Sequence, residues 1–593
     1  MSWFELIFSR HANIDNSKIA EVFLVISVLL EIRGDDPFTY RAYRNVSRVI
    51  DRLPHQLTQI IQDGKDLKEI PGIGKAISEK ILELVTTGEL EYYEKLLKEF
   101  PDGILELIKV PGIGPKSLSR IWNELGVGDL VGLQLSIDDG SLKTLPRMGD
   151  KVIEGIRRHL DLLQASAGLF PTHVVMPVAQ KIVNAIQDGF YVNLDVLLAG
   201  ELRRLEEEVS KISIVCGIDD KQTEFLDFLQ QLNEIFVIND VVGSKIFATT
   251  SEGIDLEILT SDKRKFAIDL IEQTGPNDHF QELMYAAKEE NIELKECSFI
   301  DEVQVYKCVG LQFIPAELRF FPKIFKMAET NSIPELVSVN DIKGDLHVHS
   351  TWSDGKNSID EMVESARSLG LEYVAITDHS AGLGIANGLT PERLIKKNLE
   401  IQKLDNSIEG IKIFSGSEVD IRFDGSLDYS DDLLQSLDVV VASVHNSMNQ
   451  DRVTMTNRII RAMENPFVTV IGHLTTRKIG LRPPIDVDLD TIFEVARDTC
   501  TALEINSSLV RMDLKDRYVN KAREMGVALI INTDSHNCED LKAIEYGVKI
   551  AKRGFCQSHN IVNTLSLNAF LKWIRSEKSK RQIVLAELFE KEA

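Results

Sequence analysis

The chain has 593 residues, far more than one typical domain, so we expect three or more compact units. Its 44% hydrophobic and 27% charged residues, without a long biased tract, exclude wholesale disorder. The net charge is −25 and is concentrated in the middle, with about −3 over residues 1–160, about −14 over 161–330 and about −8 over the rest. The middle is therefore the segment least suited to nucleic acid.

The first predicted element is an apolar run from Val22 to Leu30. It is too short to cross a bilayer, and charged residues rather than a signal-peptide layout precede it, so we predict a buried helix and no membrane partner. The six scattered cysteines form no Cys-x-x-Cys pair, which argues against a disulfide framework and a cysteine zinc site. These features predict a cytoplasmic protein.

Residues 15–160 have the pattern of short helices, and two nearly identical turns interrupt them. The segments 67–75 and 108–116 each contain Pro-Gly-Ile-Gly before a lysine. Paired glycines allow close backbone approach, and the first N–H groups of the next helix can hold a phosphate. The turns resemble the helix-hairpin-helix motif, which grips DNA independently of base sequence; simple interhelical turns are the alternative. The resemblance assigns DNA contact to Gly72, Gly74, Lys75, Gly112, Gly114 and Lys116.

A third turn, residues 145–151, has Arg147 in place of the first glycine and is interpreted as a remnant. Lys80 lies one turn beyond the first hairpin and resembles the lyase lysine in the small N-terminal domain of family X DNA polymerases. Such a lysine attacks an abasic sugar through a Schiff base; an exposed helix lysine is the alternative. We expect a helical 8-kDa-like domain over residues 1–95 and a fingers-like hairpin domain over residues 96–160.

Residues 161–330 alternate strands and helices, and residues 198–214 resemble the palm signature of family X DNA polymerases. That signature is normally Gly-Ser-x-Arg-Arg followed by Gly-Asp-x-Asp. Polymerisation needs clustered carboxylates to hold two Mg²⁺ ions. Lys211 and Ser213 stand at the two aspartate positions of this signature. The third carboxylate of the family has a counterpart in Asp255.

Two further departures agree with a degenerate palm and thumb. Glu201 replaces the serine that helps to hold a triphosphate. The aromatic pair that usually precedes the Thr-Gly dipeptide in the family is missing before Thr274 and Gly275. We therefore predict a scaffold without nucleotidyl transfer. A new nucleotide site and a residual polymerase are the alternatives.

A linker over residues 331–341 leads into a segment of different character. From residue 342, short β-branched runs alternate with amphipathic stretches of about 10–15 residues, which predicts successive βα units of a parallel barrel. Histidines and acids follow six of the strands, on the face where such barrels assemble active sites. The candidate metal ligands are His347, His349, Asp354, His379, Glu418, His445, His473, Asp534 and His536.

Nine ligands are too many for one ion, so the sequence predicts two or three divalent ions. Mixed imidazole and carboxylate donors suit Mn²⁺, Zn²⁺ or Fe²⁺ better than Mg²⁺ or Ca²⁺. Unrelated core and surface histidines are the alternative. The pattern resembles the PHP (polymerase and histidinol phosphatase) domain, which implies a distorted (β/α)7 barrel within residues 342–593 and Mn²⁺ as the first choice of metal.

The hairpins, the palm and the PHP pattern together resemble a bacterial or archaeal family X DNA polymerase with a C-terminal PHP domain, a multidomain α and α/β protein. The resemblance implies a Mn²⁺-dependent 3′–5′ exonuclease or 3′-end processing phosphoesterase for DNA repair, with catalytic Glu418, Asp534 and His379. It would be a monomer that binds DNA ends, gaps or primer–templates. A histidinol-phosphatase-like enzyme, a residual polymerase and a non-catalytic DNA-end scaffold are the alternatives.

Arginines that follow the barrel strands are candidates for holding substrate phosphates. Arg477 and Arg482 come soon after His473, and surface salt bridging is the alternative role. Similar positions are occupied by Arg422, Arg452 and Arg511.

Overall fold

The computed structural model has two compact units. The first contains Met1–Leu169, Leu229–Asn239 and Ala248–Asp255, and the second contains Phe170–Phe228, Asp240–Phe247 and Leu256–Ala593. The structure describes residues 16–592 except 52, 54, 55, 102, 109, 111, 112, 147, 151, 154, 155, 158, 159, 161–167, 191–193 and 220.

The described part of residues 16–160 is helical. Its first helix contains the apolar run Val22–Leu30, most of which is buried, so this run forms the predicted core helix. Buried aliphatic and aromatic side chains from all of these helices form one continuous core. The helices are Asn16–Arg33 (α1), Pro37–Asp51 (α2), Leu57–Gln62 (α3), Lys75–Thr87 (α4), Glu91–Leu97 (α5), Ile104–Ile108 (α6), Pro115–Leu125 (α7) and Leu130–Asp138 (α8).

The middle of the chain contains two small sheets. Strands Phe170–Pro171 (β1) and Glu208–Val209 (β3) pair antiparallel, while a five-stranded sheet has the order β2-β4-β7-β6-β5. Its strands are Val196–Leu198 (β2), Ile212–Gly217 (β4), Ile235–Val242 (β5), Lys245–Thr250 (β6) and Asp255–Ser261 (β7). The helices of this region are Thr172–Gly189 (α9), Gly200–Arg203 (α10), Gln222–Leu229 (α11), Phe266–Thr274 (α12), Asn277–Glu289 (α13), Glu302–Cys308 (α14) and Ile324–Glu329 (α15).

A parallel sheet of seven strands forms the C-terminal part, in the order β14-β13-β12-β11-β10-β9-β8. Its strands are fully or almost fully buried and rich in β-branched residues, as expected when helices cover a parallel sheet. The strands are Gly344–Val348 (β8), Tyr373–Ile376 (β9), Lys412–Asp420 (β10), Val439–Ser443 (β11), Val470–Ile471 (β12), Ala502–Asn506 (β13) and Leu529–Asn532 (β14).

The two edges of this sheet meet, which confirms the predicted near-closed barrel. Val348 forms a parallel bridge to Ser535, and His349 N donates to Ser535 O over 2.8 Å. No described helix is long and apolar enough to cross a membrane. The surrounding helices are Ile359–Ser368 (α16), Pro391–Asp405 (α17), Asp431–Leu434 (α18), Arg452–Glu464 (α19), Leu489–Thr499 (α20), Asp516–Glu524 (α21), Ile544–Arg553 (α22), Leu567–Arg575 (α23) and Arg581–Glu592 (α24).

Candidate metal centre and nucleic-acid interface

The nine predicted ligands converge at the carboxyl ends of the barrel strands. They fall into overlapping groups in which one ligand atom from each residue lies within 4.8 Å of the others. His473 adjoins the groups because its Nε2 lies 2.9 Å from Glu418 Oε1. The groups are His349 with Asp354, His379 and His536; His347 with His349, Glu418 and Asp534; and His379 with Glu418 and His445.

Many of the converging atoms have no hydrogen-bond partner among the described residues, although they are buried. These atoms include Nε2 of His347 and both ring nitrogens of His349. Both carboxylate oxygens of Glu418 are in the same condition. Unpaired buried polar groups are costly, and divalent ions would bind the carboxylate oxygens and the one nitrogen of each neutral imidazole that has a lone pair. The residues present therefore fit a cluster of divalent metal ions.

The ionisation of the ligands suits metal binding as well. Burial, followed by the neighbouring His536, lowers the pKa of His349 to about 4, so its imidazole is neutral at pH 7. Burial opposes ionisation of Glu418, but His445 and His347 outweigh it and hold the pKa of this carboxyl well below its usual range. Neutral imidazoles and ionised carboxylates are the forms that bind metals, so these two ligands are ready to bind. Burial opposes protonation of His445 and His536, but nearby carboxylates outweigh it and raise the pKa of each ring to about 9, so metal binding would displace a proton from both.

Two carboxylates that the sequence reasoning missed support the ligands. Glu504 Oε1 lies 2.7 Å from His347 Nδ1, and Asp420 Oδ1 lies 2.6 Å from His445 Nδ1. Such contacts fix the ring orientation and the tautomer of a metal-binding histidine. A sequence signal existed for Asp420, because it ends β10, whereas Glu504 lies in the middle of the buried strand β13.

The loop arginines have different surroundings. Arg477 Nη1 donates to Glu207 Oε1 over 2.8 Å, and Arg482 Nε donates to Thr476 O over 2.8 Å. Arg511 approaches the metal ligands directly, with Nε 3.2 Å from Asp534 Oδ2. Its Nη1 is buried and has no hydrogen-bond partner in the described part of the chain.

The first of the positions that resemble the polymerase carboxylates lies among the protein's own charges. The Lys211 ammonium pairs with Glu257, whose Oε1 also lies 2.6 Å from Lys245 Nζ. Ser213 is buried on the same strand as Ile212, and Asp255 is exposed. No described acid other than Glu257 pairs with Lys211.

The hairpin glycines precede helices, as predicted. Gly74 and Gly114 are the N-cap residues of α4 and α7, and Lys75 and Lys116 are exposed near the starts of those helices. Gly72 has φ +93°, a conformation that favours glycine. Gly112 lies outside the described residues, as does Arg147 in the third turn.

Lys80 lies on α4, and its Nζ is 4.8 Å from the centroid of the Tyr92 ring. This contact is a cation–π interaction, which an ordinary helix lysine can also make. The structure thus places the lyase candidate beside an aromatic side chain.

Comparison with known proteins identifies the family. Residues 14–90 match the helix-hairpin-helix domain, residues 104–161 match the SAM-like helix-hairpin-helix tandem, and residues 345–508 match the PHP domain. A DNA polymerase/3′-5′ exonuclease PolX from Bacillus subtilis (strain 168) is 35% identical over 572 residues, covering 93% of this chain and 99% of the relative. The chain belongs to the PolX family. This membership confirms the predicted resemblance to family X DNA polymerases with a PHP domain.

Shorter relatives match about 40% of this PolX-family chain. A probable phosphatase from Thermoanaerobacter sp. (strain X514) is 29% identical over 40% of this chain and 96% of its own length. One from Caldanaerobacter subterraneus subsp. tengcongensis is 28% identical over 40% of this chain and 92% of its own length. A part of this chain therefore corresponds to nearly the whole length of smaller proteins.

Proposed function

We propose that this chain is a metal-dependent phosphoesterase that shortens or processes the 3′ ends of DNA during repair, and that it has lost polymerase activity. The observation that carries the proposal is the convergence of nine ligand side chains, seven of which have buried ring nitrogens or carboxylate oxygens without a hydrogen-bond partner in the described part of the chain. The Bacillus relative is named as a 3′-5′ exonuclease as well as a DNA polymerase, which supports the substrate and the polarity. We assign the protein to the cytoplasm and treat it as a monomer.

The proposed chemistry is hydrolysis without a covalent protein intermediate. Divalent ions, with Mn²⁺ preferred and Zn²⁺ or Fe²⁺ as alternatives, would supply Lewis acidity and lower the pKa of a water molecule. Glu418, which belongs to two ligand groups, and Asp534 would hold adjacent ions, and His379 would complete this catalytic set. Arg511 would hold a phosphate oxygen through its unpaired Nη1.

The loss of polymerase activity is supported by the charges in the palm. Lys211 and Lys245 both pair with Glu257, so lysine ammonium groups neutralise this acid. Glu201 accepts hydrogen bonds from Ser210 N and Oγ over 2.7 and 2.9 Å, which places an anion where a triphosphate needs donors. A single remaining acid, Asp255, cannot hold two Mg²⁺ ions.

We divide the protein according to these roles. We propose that residues 1–95 and 96–160 bind DNA through their hairpins and that residues 161–330 form the degenerate palm and thumb. Residues 331–341 would link the palm and thumb to the PHP domain, residues 342–593, which would hydrolyse the phosphodiester bonds. The hairpin matches support DNA binding by the first two segments.

The direct test uses a 5′-labelled primer–template with dNTPs and either Mn²⁺ or Mg²⁺. The wild type should shorten the primer with Mn²⁺, and His349→Ala and Asp534→Ala should abolish shortening. His559→Ala is the matched control, because His559 is an exposed histidine away from the ligand groups. Primer extension would contradict the proposed loss of polymerase activity, and an unchanged primer would contradict the nuclease.

A second candidate, a small-molecule phosphatase, is favoured by the probable phosphatases that match the barrel over nearly their whole length. It predicts rapid release of inorganic phosphate from histidinol phosphate and no effect of DNA. Phosphate release that depends on Asp534, together with an unchanged primer, would favour this function over the nuclease.

A further inference from the structure

Two loops of the barrel border the metal ligands, and they contact each other. Residues 472–488, here called the β12 loop, contain His473, and residues 507–515, the β13 loop, contain Arg511. Ile479 N donates to Val510 O over 2.7 Å, and Thr475 N donates to the Asp513 carboxylate over 2.9 Å. The relative position of these loops therefore affects both a metal ligand and the arginine beside Asp534.

A carboxylate from the degenerate palm joins the two loops. Glu207, just before β3, places Oε1 2.8 Å from Arg477 Nη1 in the β12 loop. Its Oε2 lies 3.1 Å from Lys515 Nζ in the β13 loop. Arg477 also donates through Nη2 to Met512 O, so one short network connects the palm with both loops.

The palm backbone around Glu207 is itself fixed. Thr172 N donates to Glu207 O over 3.0 Å, next to the pairing of β1 with β3. Pro171 lies against the β12 loop so closely that a Cβ on Gly480 would be 2.9 Å from its Cγ. The loops are thus held by a rigid part of the palm.

Charge as well as close packing holds this junction. A cavity of about 640 Å³ opens beside it, lined in part by Glu207, Thr475, Arg477, Lys515 and Tyr518. Without the carboxylate, Arg477 and Lys515 would be two neighbouring cations with no shared anion. Removing one member of a partly buried ionic network is more disruptive than removing an exposed surface pair.

We propose that Glu207 is a positioning residue for the phosphoesterase: the degenerate palm sets the loops that carry His473 and Arg511. This inference rests on the function proposed above. It gives the palm a role in the PHP reaction that needs no nucleotide and none of the polymerase carboxylates.

The test compares full-length wild type with Glu207→Gln, which removes the charge and keeps the shape, and Glu207→Asp, which keeps the charge. Glu282→Gln is the matched control, because Glu282 is exposed on α13 of the palm and thumb region. Hydrogen exchange of residues 472–488 and 507–515, Mn²⁺ binding by calorimetry, and kcat and KM for primer shortening are measured.

For Glu207→Gln we expect at least tenfold faster amide exchange in both loops, several-fold weaker Mn²⁺ binding and about tenfold lower kcat. Glu207→Asp should recover part of each loss, and Glu282→Gln should match the wild type. If Glu207→Gln does not fold, Lys515→Gln breaks the other end of the network and should show a smaller change in the same direction.

Unchanged loop exchange, Mn²⁺ binding and kcat in folded Glu207→Gln would overturn the inference. Loop exchange and Mn²⁺ binding need no substrate, so they separate this inference from the proposed function. Glu207→Gln could show faster exchange and weaker Mn²⁺ binding while the wild type itself does not shorten the primer. That result would support the positioning role and exclude DNA as the substrate.

Discussion

Glu504 shows how much a single residue outside the ligand set contributes to the metal centre. Its Oε1 lies 2.7 Å from His347 Nδ1, and its Oε2 accepts from His473 N over 2.6 Å. Asn506 and Asn532 also donate to it, over 3.0 Å each. One fully buried carboxylate thus orients one ligand through its ring and another through its backbone.

We expect Glu504→Gln to weaken Mn²⁺ binding by about 10- to 100-fold, the usual effect of losing a supporting carboxylate behind a metal-bound histidine. The amide has one acceptor oxygen, so it cannot receive all of the donors that Glu504 receives. Calorimetric titration with Mn²⁺ measures the change directly. The control is Glu494→Gln, at an exposed acid on α20, and equal affinities in the two variants would refute the supporting role.

Residue types alone were enough to predict nine candidate ligands that the fold brings together, because histidines and acids recur at the ends of strands that the sequence pattern already predicts. Residue types did not reveal Glu504. Only the side chains of neighbouring strands distinguish a glutamate that supports a ligand from any other glutamate in a strand. Arg511 illustrates the same limit. The sequence places several arginines after strands, and only the folded loops show which one lies beside Asp534.

At the scale of elements, helices α13 and α14 bury a histidine whose protonation opposes folding. His279 Nε2 lies 2.6 Å from the Tyr306 hydroxyl, and the Phe325 ring lies 4.7 Å from its ring. Burial, followed by the Arg319 cation, lowers the pKa of His279 to about 3, with Glu302 opposing and Arg204 assisting. In the unfolded chain the same imidazole has its ordinary pKa near 6.5.

The sign of the pH effect follows from these two values. Because the folded pKa is depressed, the unfolded state binds a proton first as the pH falls below about 6.5, so stability is lost between there and about pH 3. At pH 5 the loss from this histidine is about 2 kcal/mol. Hydrogen exchange of the amides in α14 at pH 7 and pH 5 measures it as a local opening free energy.

His279→Gln should reduce this acid sensitivity, because glutamine stays neutral and can still bond to Tyr306. At pH 7 the variant should be somewhat less stable than the wild type, since the ring packing against Phe325 is lost. His559→Gln, at an exposed histidine, should leave the pH dependence of α14 unchanged. An equal loss of protection on acidification in wild type and His279→Gln would show that other groups cause it.

For the whole molecule, the fold class was predictable and the connections between its parts were not. The helical spacing, the palm signature and the alternation of strands with helices each depend on local sequence. The helical region, the α/β middle and the seven-stranded parallel barrel follow one another along the chain as these three patterns do. The ion pairs of Glu207 with Arg477 and Lys515 join residues about 270 and 308 positions apart. No local pattern encodes such pairing, because 92 acidic and 67 basic residues allow many alternative pairs.

In the proposed function, the hairpins bind DNA and the barrel hydrolyses it. The last prediction concerns a double variant in which glutamine replaces Lys75 and Lys116. Both lysines are exposed near the starts of helices whose N-cap glycines leave backbone N–H groups for a phosphate. The double variant should bind duplex DNA on the order of tenfold more weakly, whatever the base sequence. The slope of log affinity against log salt should fall by about one for each lysine, as fluorescence anisotropy at several salt concentrations would measure.

Because the proposed role of these lysines is to hold DNA and not to bind metal, KM for primer shortening should rise while kcat at saturating DNA stays near the wild-type value. Lys181→Gln, at an exposed lysine on α9, is the control and should change neither the salt slope nor KM. A fall in kcat with an unchanged salt slope would mean that the hairpins serve the reaction in some way other than by gripping the phosphate backbone.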